Sequence, residues 1–308
     1  MPAALRTDGL TKYYHRVVGV ESLSLEVPGG EVFGFLGANG AGKTTTIRLL
    51  LDLLRPTHGT ASILGLDCQR QGLEVRRRVG YLPGETPIYP ELTGAAYLDF
   101  LTKLSRRPVA GGRLRFLLRR FDVSEVDLRR PLRDQSHGMK RKLGLIQALA
   151  GEAPVLILDE PTSGLDPLIV EAFRQTIDEL KKRGDTTVFL SSHVLAEVES
   201  VCDRIAVIRG GRLVTACGLD ELRRRSPRRL IVEFASAVNG SFPLEGRPEV
   251  HLVERTPMRW VLQVQGPLGA VMSALAGLPV HDVQLEPFRL EDYVLGLYAE
   301  GERGSWPS

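Results

Sequence analysis

The stretch Gly37-Ala38-Asn39-Gly40-Ala41-Gly42-Lys43-Thr44 limits what this chain can fold into more than any other part of it. It follows a short apolar run, Val32-Phe33-Gly34-Phe35-Leu36, of the kind that forms a strand buried on both faces. It leads into Thr44-Thr45-Thr46-Ile47-Arg48-Leu49-Leu50-Leu51, which has the length and periodicity of a helix. A strand, a glycine-rich loop and a helix in that order match the phosphate-binding pattern Gly-x4-Gly-Lys-Ser/Thr. Glycines let consecutive backbone N–H groups curl around phosphate oxygens, and the helix N-terminus adds positive potential. Lys43 contributes a point charge and the Thr44 hydroxyl a magnesium ligand. Gly37, Asn39, Gly40, Ala41, Gly42, Lys43, Thr44 and Thr45 are the expected phosphate-binding residues.

Two more apolar runs, Val155-Leu156-Ile157-Leu158 and Thr187-Val188-Phe189-Leu190, flank an amphipathic stretch over 169–182, as parallel strands joined by a helix do. An α/β core is expected. Such sheets bind ligands at the C-terminal edge of their strands, where the first run passes into Asp159 and Glu160. Asp159 is expected to hold magnesium, directly or through water, and Glu160 to face an attacking water as its base. Leu23-Ser24-Leu25-Glu26-Val27, and Ile205-Ala206-Val207-Ile208 with Leu213-Val214 about a Gly210-Gly211 turn, read as antiparallel strands of a small β layer. Residues 90–150 read as a helical insert. A basic cluster over 223–229 interrupts the pattern and opens a second domain. There strands are expected at 230–234, 260–264 and 280–285, helices at 267–278 and 288–298, and a loose tail at 301–308.

At 308 residues the chain is long for one domain, which agrees with a large domain plus an appendage. Lys and Arg total 40 against 37 Asp and Glu, and a net +3 does not make a polyanion the default partner. Basic clusters at 76–78, 119–120, 129–130 and 223–229 lack interleaved aromatics and read as solvated faces, so no nucleic acid is expected. Cys68, Cys202 and Cys217 stand singly, giving neither a zinc pair nor a disulfide framework and fitting a reducing, cytoplasmic compartment. No signal peptide is expected, and the uncharged stretch 269–280 is about a dozen residues against the roughly 18 to 20 that cross a bilayer.

Beyond Glu160 the sequence continues Pro161-Thr162-Ser163-Gly164-Leu165-Asp166, and Ser191-Ser192-His193 closes the next strand. With the phosphate loop and the acidic strand end, these motifs in this order resemble the ATP-hydrolysing subunits of ABC transporters, over residues 5 to about 222. The resemblance implies a P-loop NTPase (RecA-like) core with an antiparallel β subdomain and an inserted helical subdomain over 1–222. A small C-terminal α+β accessory domain would then occupy 223–308. ATP and Mg2+ are the implied ligands, with Lys43, Glu160 and His193 catalytic, His193 sensing the γ-phosphate, and Thr44 and Asp159 at the metal. Asp166 would belong to a loop that communicates across a dimer.

Gln135-Ser136-His137-Gly138-Met139 is similar to the family's signature Leu-Ser-Gly-Gly-Gln and departs at three of five positions. Ser136 and Gly138 are retained, and the resemblance gives them to the γ-phosphate of ATP held on a second copy. Tyr14, in Leu10-Thr11-Lys12-Tyr13-Tyr14, matches the adenine-stacking aromatic, with Tyr13 as a substitute. The family's loop glutamine falls at Gly84 of Tyr81-Leu82-Pro83-Gly84-Glu85, leaving open whether Glu85 or no side chain takes its place.

The family implies a head-to-tail dimer that drives a separate integral-membrane permease, and a peripheral place at the inner face of the membrane through it. Ser-x-Gly-Met-Lys-x-Lys-Leu from Ser136, and Leu290-Glu291-Asp292-Tyr293-Val294-Leu295-Gly296-Leu297-Tyr298, resemble bacterial drug and lipid exporter subunits, so export of a drug, antibiotic or lipid is expected. The alternative is a soluble ATPase of the family acting on nucleic acid or the ribosome; such proteins usually fuse two ATPase domains or insert a long coiled coil, and neither pattern stands in this sequence. His251 and His281 are isolated, and Glu254, Glu286, Glu291 and Asp292 form no ligand set, so the C-terminal domain is expected to be non-catalytic and to pair with its copy or tune closure, the alternative being a passive stabiliser that covers the ATPase core.

Overall fold

The computed structural model describes residues 2–302 except 86–88, 106, 108, 240–241 and 287. Residues 303–308 of the expected tail lie outside the described residues, whereas 301–302 end the last helix. The chain divides into two units, Met1–Cys217 and Gly218–Ser308. That break precedes the expected boundary at 223, because the basic cluster is not a linker. Its residues sit on a helix, Leu219–Arg225, and a strand, Arg228–Phe234, in which charged side chains share the element with buried Leu219, Leu222, Leu230 and Val232.

The first unit is built on a six-stranded sheet in the order Arg212–Gly218, Arg204–Arg209, Val32–Leu36, Thr187–Ser192, Val155–Asp159, Val79–Leu82. Val32–Leu36 pairs in parallel with Thr187–Ser192 and with Arg204–Arg209, and Val155–Asp159 with Thr187–Ser192 and Val79–Leu82. The run 205–208, expected in an antiparallel layer, is therefore part of the main sheet. All four of its residues are buried, which is what a strand covered on both faces requires. The register sets Leu36 beside Ser192 and Asp159 beside Ser191, so the three strands that carry the predicted chemistry end at one edge.

A second, antiparallel sheet, ordered Val17–Pro28, Ala3–Tyr14, His58–Ile63, Leu66–Asp67, lies against the first. Leu5, Leu10, Leu23, Val27 and Ile63 of this layer share one core with Phe33, Phe35, Ile157 and Phe189 of the main sheet, and with Ile47 and Leu50 of the helix Lys43–Leu50. Burying each such side chain contributes about 1.5–3 kcal/mol, and this core fixes the helix that follows the phosphate loop. The stretch 90–150 holds the helices Gly94–Ser105, Gly111–Arg120, Glu125–Arg129 and His137–Ala150. The last of these packs on Val79–Leu82, where a Cβ on Gly80 would stand 2.5 Å from the Ala148 carbonyl oxygen.

The second unit is an antiparallel sheet in the order Val250–Arg255, Arg259–Val264, Arg228–Phe234, Val280–Glu286. Leu230, Val232, Trp260 and Leu262 on one face pack with Val271 and Leu275 of the helix Gly269–Leu275. Trp260 is completely buried, with the Phe234 and Phe242 rings edge-on at 4.8 and 5.5 Å.

Candidate active site

The loop after Val32–Leu36 needs glycine at two places for different reasons. Gly42 has φ 111°, a conformation L side chains avoid, and its Cβ would stand 2.5 Å from the Gly19 carbonyl oxygen. Gly37 lies so close to the neighbouring strand end that a Cβ would be 2.5 Å from the Ile208 carbonyl oxygen. Beside this loop opens a cleft of about 320 Å³ lined by Tyr14, Val17, Val18, Gly19, Ala38, Asn39, Gly40, Gly42, Lys43, Thr44, Thr45 and Glu160. The Tyr14 ring covers Gly19, whose Cβ would come within 2.8 Å of it, while the Tyr13 hydroxyl donates to Glu21 instead. Tyr14, not Tyr13, is therefore the aromatic at the cleft.

The Lys43 ammonium is buried and donates to the carbonyls of Gly37 at 2.6 Å and Ala38 at 3.3 Å. It also stands 3.2 Å from Oε1 of Glu160. The other Glu160 oxygen, Oε2, is 2.7 Å from Nδ1 of the half-exposed His193. Glu160 is thus held by one basic group at each carboxylate oxygen. Its backbone has φ 51°, unusual for a residue with a side chain, and its N–H donates to the Ser191 carbonyl at 3.1 Å. Asp159, completely buried, accepts from the Thr44 hydroxyl at 2.9 Å on Oδ2 and from the Ser191 hydroxyl on Oδ1. Burial, with Asp159 nearby, pushes the Tyr81 phenol up to about 12, so it stays neutral beside these carboxylates.

Ser136, Gly138 and Asp166 do not line the cleft. Ser136 caps the helix His137–Ala150 and accepts from the Met139 N–H at 3.1 Å; Asp166 caps Pro167–Arg183 and accepts from the Ile169 N–H at 3.1 Å. The two caps are neighbours: a Cβ on Gly138 would stand 3.0 Å from the Gly164 carbonyl oxygen, and one on Gly164 would stand 2.9 Å from the His137 ring. Gln135, where the family has leucine, is buried and donates to the carbonyls of Asp127 at 3.0 Å and Arg130 at 2.9 Å. Glu85 is exposed and makes no hydrogen bond or ion pair among the described residues. Gly84 lies beside Asp159, 3.1 Å from a built Cβ to Oδ2.

Sequence reasoning passed over three residues here. Ser191 bridges Asp159 and Glu160. Thr162 donates to the Glu197 carboxylate, tying the segment after Glu160 to the helix Leu195–Val201 that follows His193. Arg141 is buried between two strand ends. A larger cavity, about 430 Å³, belongs to the second unit, but its Arg229 and Glu286 pair with each other at 3.5 Å and no phosphate loop adjoins it. The chemistry points to the smaller cleft.

A family model described as ABC transporter matches residues 20–163. Over 317 aligned residues the chain is 31% identical to the bacitracin transport ATP-binding protein of Bacillus licheniformis, covering 99% of this chain and 100% of that one. The chain belongs to the ABC transporter family. This ABC protein is also 38% identical over 222 residues to the daunorubicin resistance ATP-binding protein of Streptomyces coeruleorubidus, across 71% of this chain and 70% of the relative. Among solved structures, an ATP-binding subunit of an ABC transporter aligns at TM-score 0.65 and 32% identity over 72% of this chain and 92% of the other. An ATP-binding cassette solved as a dimer with ADP and phosphate aligns at TM-score 0.64 over 70% and 98%; at 21% identity it shows the shared fold alone. The chain is accordingly an ATP-binding ATPase with a P-loop NTPase fold, and a soluble nucleic-acid or ribosome ATPase is not favoured.

Proposed function

We propose that this ABC protein is the ATP-hydrolysing subunit of a bacterial drug or antibiotic exporter, acting as a head-to-tail pair of copies beneath a separate membrane permease. The observation that carries the catalytic part is the Glu160 carboxylate held between Lys43 and His193 at the rim of the cleft. The loop 37–45 takes the phosphates of ATP, and Tyr14 takes the adenine. Glu160 accepts a proton from the water whose oxygen bonds the γ-phosphorus, while the bond from that phosphorus to the β–γ bridging oxygen breaks and ADP departs. His193 orients Glu160 and meets the γ-phosphate. In the dimer, Ser136 and Gly138 of the second copy would close the cleft, which neither residue lines within its own chain. Asp166, capping the helix beside that signature, would sense the pairing.

The donor set suits Mg2+: a hydroxyl and a carboxylate, both hard oxygen ligands, adjoin the phosphate loop. Both Asp159 oxygens already accept hydroxyl hydrogens, so Thr44 would be the direct ligand and Asp159 would act through it or through water. When bound, Mg2+ supplies charge neutralisation at the phosphates.

No helix among the described residues is long and apolar enough to cross a membrane. The permease, through which the chain would lie at the inner face, is proposed from the relatives named for transport and resistance. Residues 218–308 form the accessory module, proposed to pair with its copy or tune closure. The export reading draws on the relatives whose names carry bacitracin transport and daunorubicin resistance. Identifying the product of the adjacent gene and, where it is a membrane protein, co-expressing the two tests it. Resistance to a drug, lost on Glu160→Gln, is the expected result; a neighbouring nuclease or ribosome factor, and no resistance, would overturn it.

A further inference from the structure

Arg141 is 1% exposed, on the fifth residue of a helix whose N-terminal end is solvent-facing. It shares the buried stripe of that helix with Leu145, Ala148 and Leu149, where periodicity calls for an apolar residue. Among the described residues its guanidinium meets no carboxylate directly. One terminal nitrogen donates to the carbonyls of Pro83 at 2.5 Å and Gly84 at 3.0 Å, and the other to the carbonyls of Asp159 and Glu160. Its Nε is buried with no partner among the described residues. Burial pulls the guanidinium's pKa down, and Asp159 and Glu160 oppose that pull. A buried charge with an unsatisfied donor is costly, so packing alone does not account for an arginine at this position.

The reason lies in the residue whose carbonyl it holds. Glu160 has φ 51°, a conformation that persists only where the surroundings enforce it. Its N–H is fixed by Ser191, from both the carbonyl at 3.1 Å and the hydroxyl at 3.2 Å, and its C=O by Arg141. The peptide is clamped on both sides, and from it the side chain projects toward Lys43 and His193. The same guanidinium reaches the loop at Gly84. Neither Gly84, which has no side chain, nor Glu85, which is exposed, offers a side chain from that loop to Asp159 or Glu160 among the described residues.

We propose that Arg141 is a positioning residue that sets the backbone of Glu160, and couples it to the Pro83-Gly84 loop and to the helix capped by Ser136. At 1.5 Å per residue Arg141 lies about 7.5 Å along the helix from that cap, so a rigid shift of the helix carries the four carbonyls with it. The inference rests on Glu160 as the base of the proposed function, and a displacement of about 1 Å at such a residue costs up to ~10²-fold in rate.

The test is a double-mutant cycle on the full chain, with Arg141→Lys and Glu160→Gln, measuring nucleotide affinity, melting temperature and single-turnover hydrolysis. Lysine keeps the charge but cannot fork to two pairs of carbonyls. The expected result is hydrolysis slowed about 10- to 100-fold in Arg141→Lys, with KM and nucleotide affinity changed less than about threefold. In the Glu160→Gln background the same change should have no further effect, because the group it positions is already gone. Multiplying effects, or Arg141→Lys hydrolysis within about threefold of the parent, overturn the proposal. Arg141→Gln is the second variant; if both lose nucleotide binding together with turnover, Arg141 is a fold residue and the proposal fails. Full activity in Glu160→Gln alone would instead remove Glu160 as base, a separate failure.

Discussion

Replacing Thr44 by valine removes one hydroxyl and leaves the side-chain volume nearly unchanged. Oδ2 of Asp159 then loses the donor at 2.9 Å, inside a residue with no exposed surface. A hydrogen bond to a charged group contributes about 1.5–3 kcal/mol, and the partial exposure of this one favours the lower end. In a domain of about 150–250 residues each kcal/mol moves the melting temperature about 2–4 °C, so about 1.5 kcal/mol gives a fall of ~3–6 °C. Ser191→Ala removes the other hydroxyl on the same carboxylate and should destabilise at least as much, because its bond is buried. Magnesium separates the two variants. Losing a direct ligand should raise the half-saturating Mg2+ for hydrolysis at least ~10-fold in Thr44→Val, and by less in Ser191→Ala, whose hydroxyl acts on the site only through Asp159. Calorimetry without nucleotide and a Mg2+ titration of phosphate release read both effects. Thr44→Val with an unchanged melting temperature would refute the burial argument; an unchanged Mg2+ requirement would remove Thr44 from the metal.

Trp260→Ala should cost about 3–5 kcal/mol in the second unit, enough to melt it at moderate temperature. Fluorescent-nucleotide binding by the first unit should survive, and its loss would contradict two separately folded units. Burial pushes the Cys68 thiol up to about 12 and raises the Cys202 thiol as well, whereas Cys217 is partly exposed. At pH 8 the folded chain should therefore react with one equivalent of a thiol reagent and, once denatured, with all three cysteines. More than one fast-reacting thiol in the folded chain would refute that burial.

What was legible in the sequence was local. Val32–Leu36 and Val155–Asp159 are uninterrupted apolar runs, and each ends in residues whose chemistry has few other uses, so the strand ends and the carboxylates could be placed before the sheet was known. The Gly210-Gly211 turn drew the run 205–208 into an antiparallel reading, although four consecutive apolar residues are the mark of the doubly covered strand it is. Val79–Leu82 escaped notice because it is short and follows three arginines. Ser191 meets Asp159 only through the register of two strands separated by a helix, which no spacing reveals. Arg141 did leave a trace, a charge on an apolar helical stripe, but basic residues on helices are so often solvated that the trace reads as surface. The separation of Ser136 from the cleft of its own chain, and the closeness of His137 and Gly138 to Gly164, also needed three dimensions.

The central claim is that Glu160 handles the attacking water in a cleft completed by a second copy. Glu160→Gln tests it most directly, since the amide keeps the shape and removes the proton acceptor. With ATP and Mg2+, phosphate release should fall about 10²–10⁴-fold while ATP still binds, and sedimentation should show the chain accumulating as a dimer. Hydrolysis at the parent rate, or tight ATP binding with the chain remaining monomeric, would contradict the account.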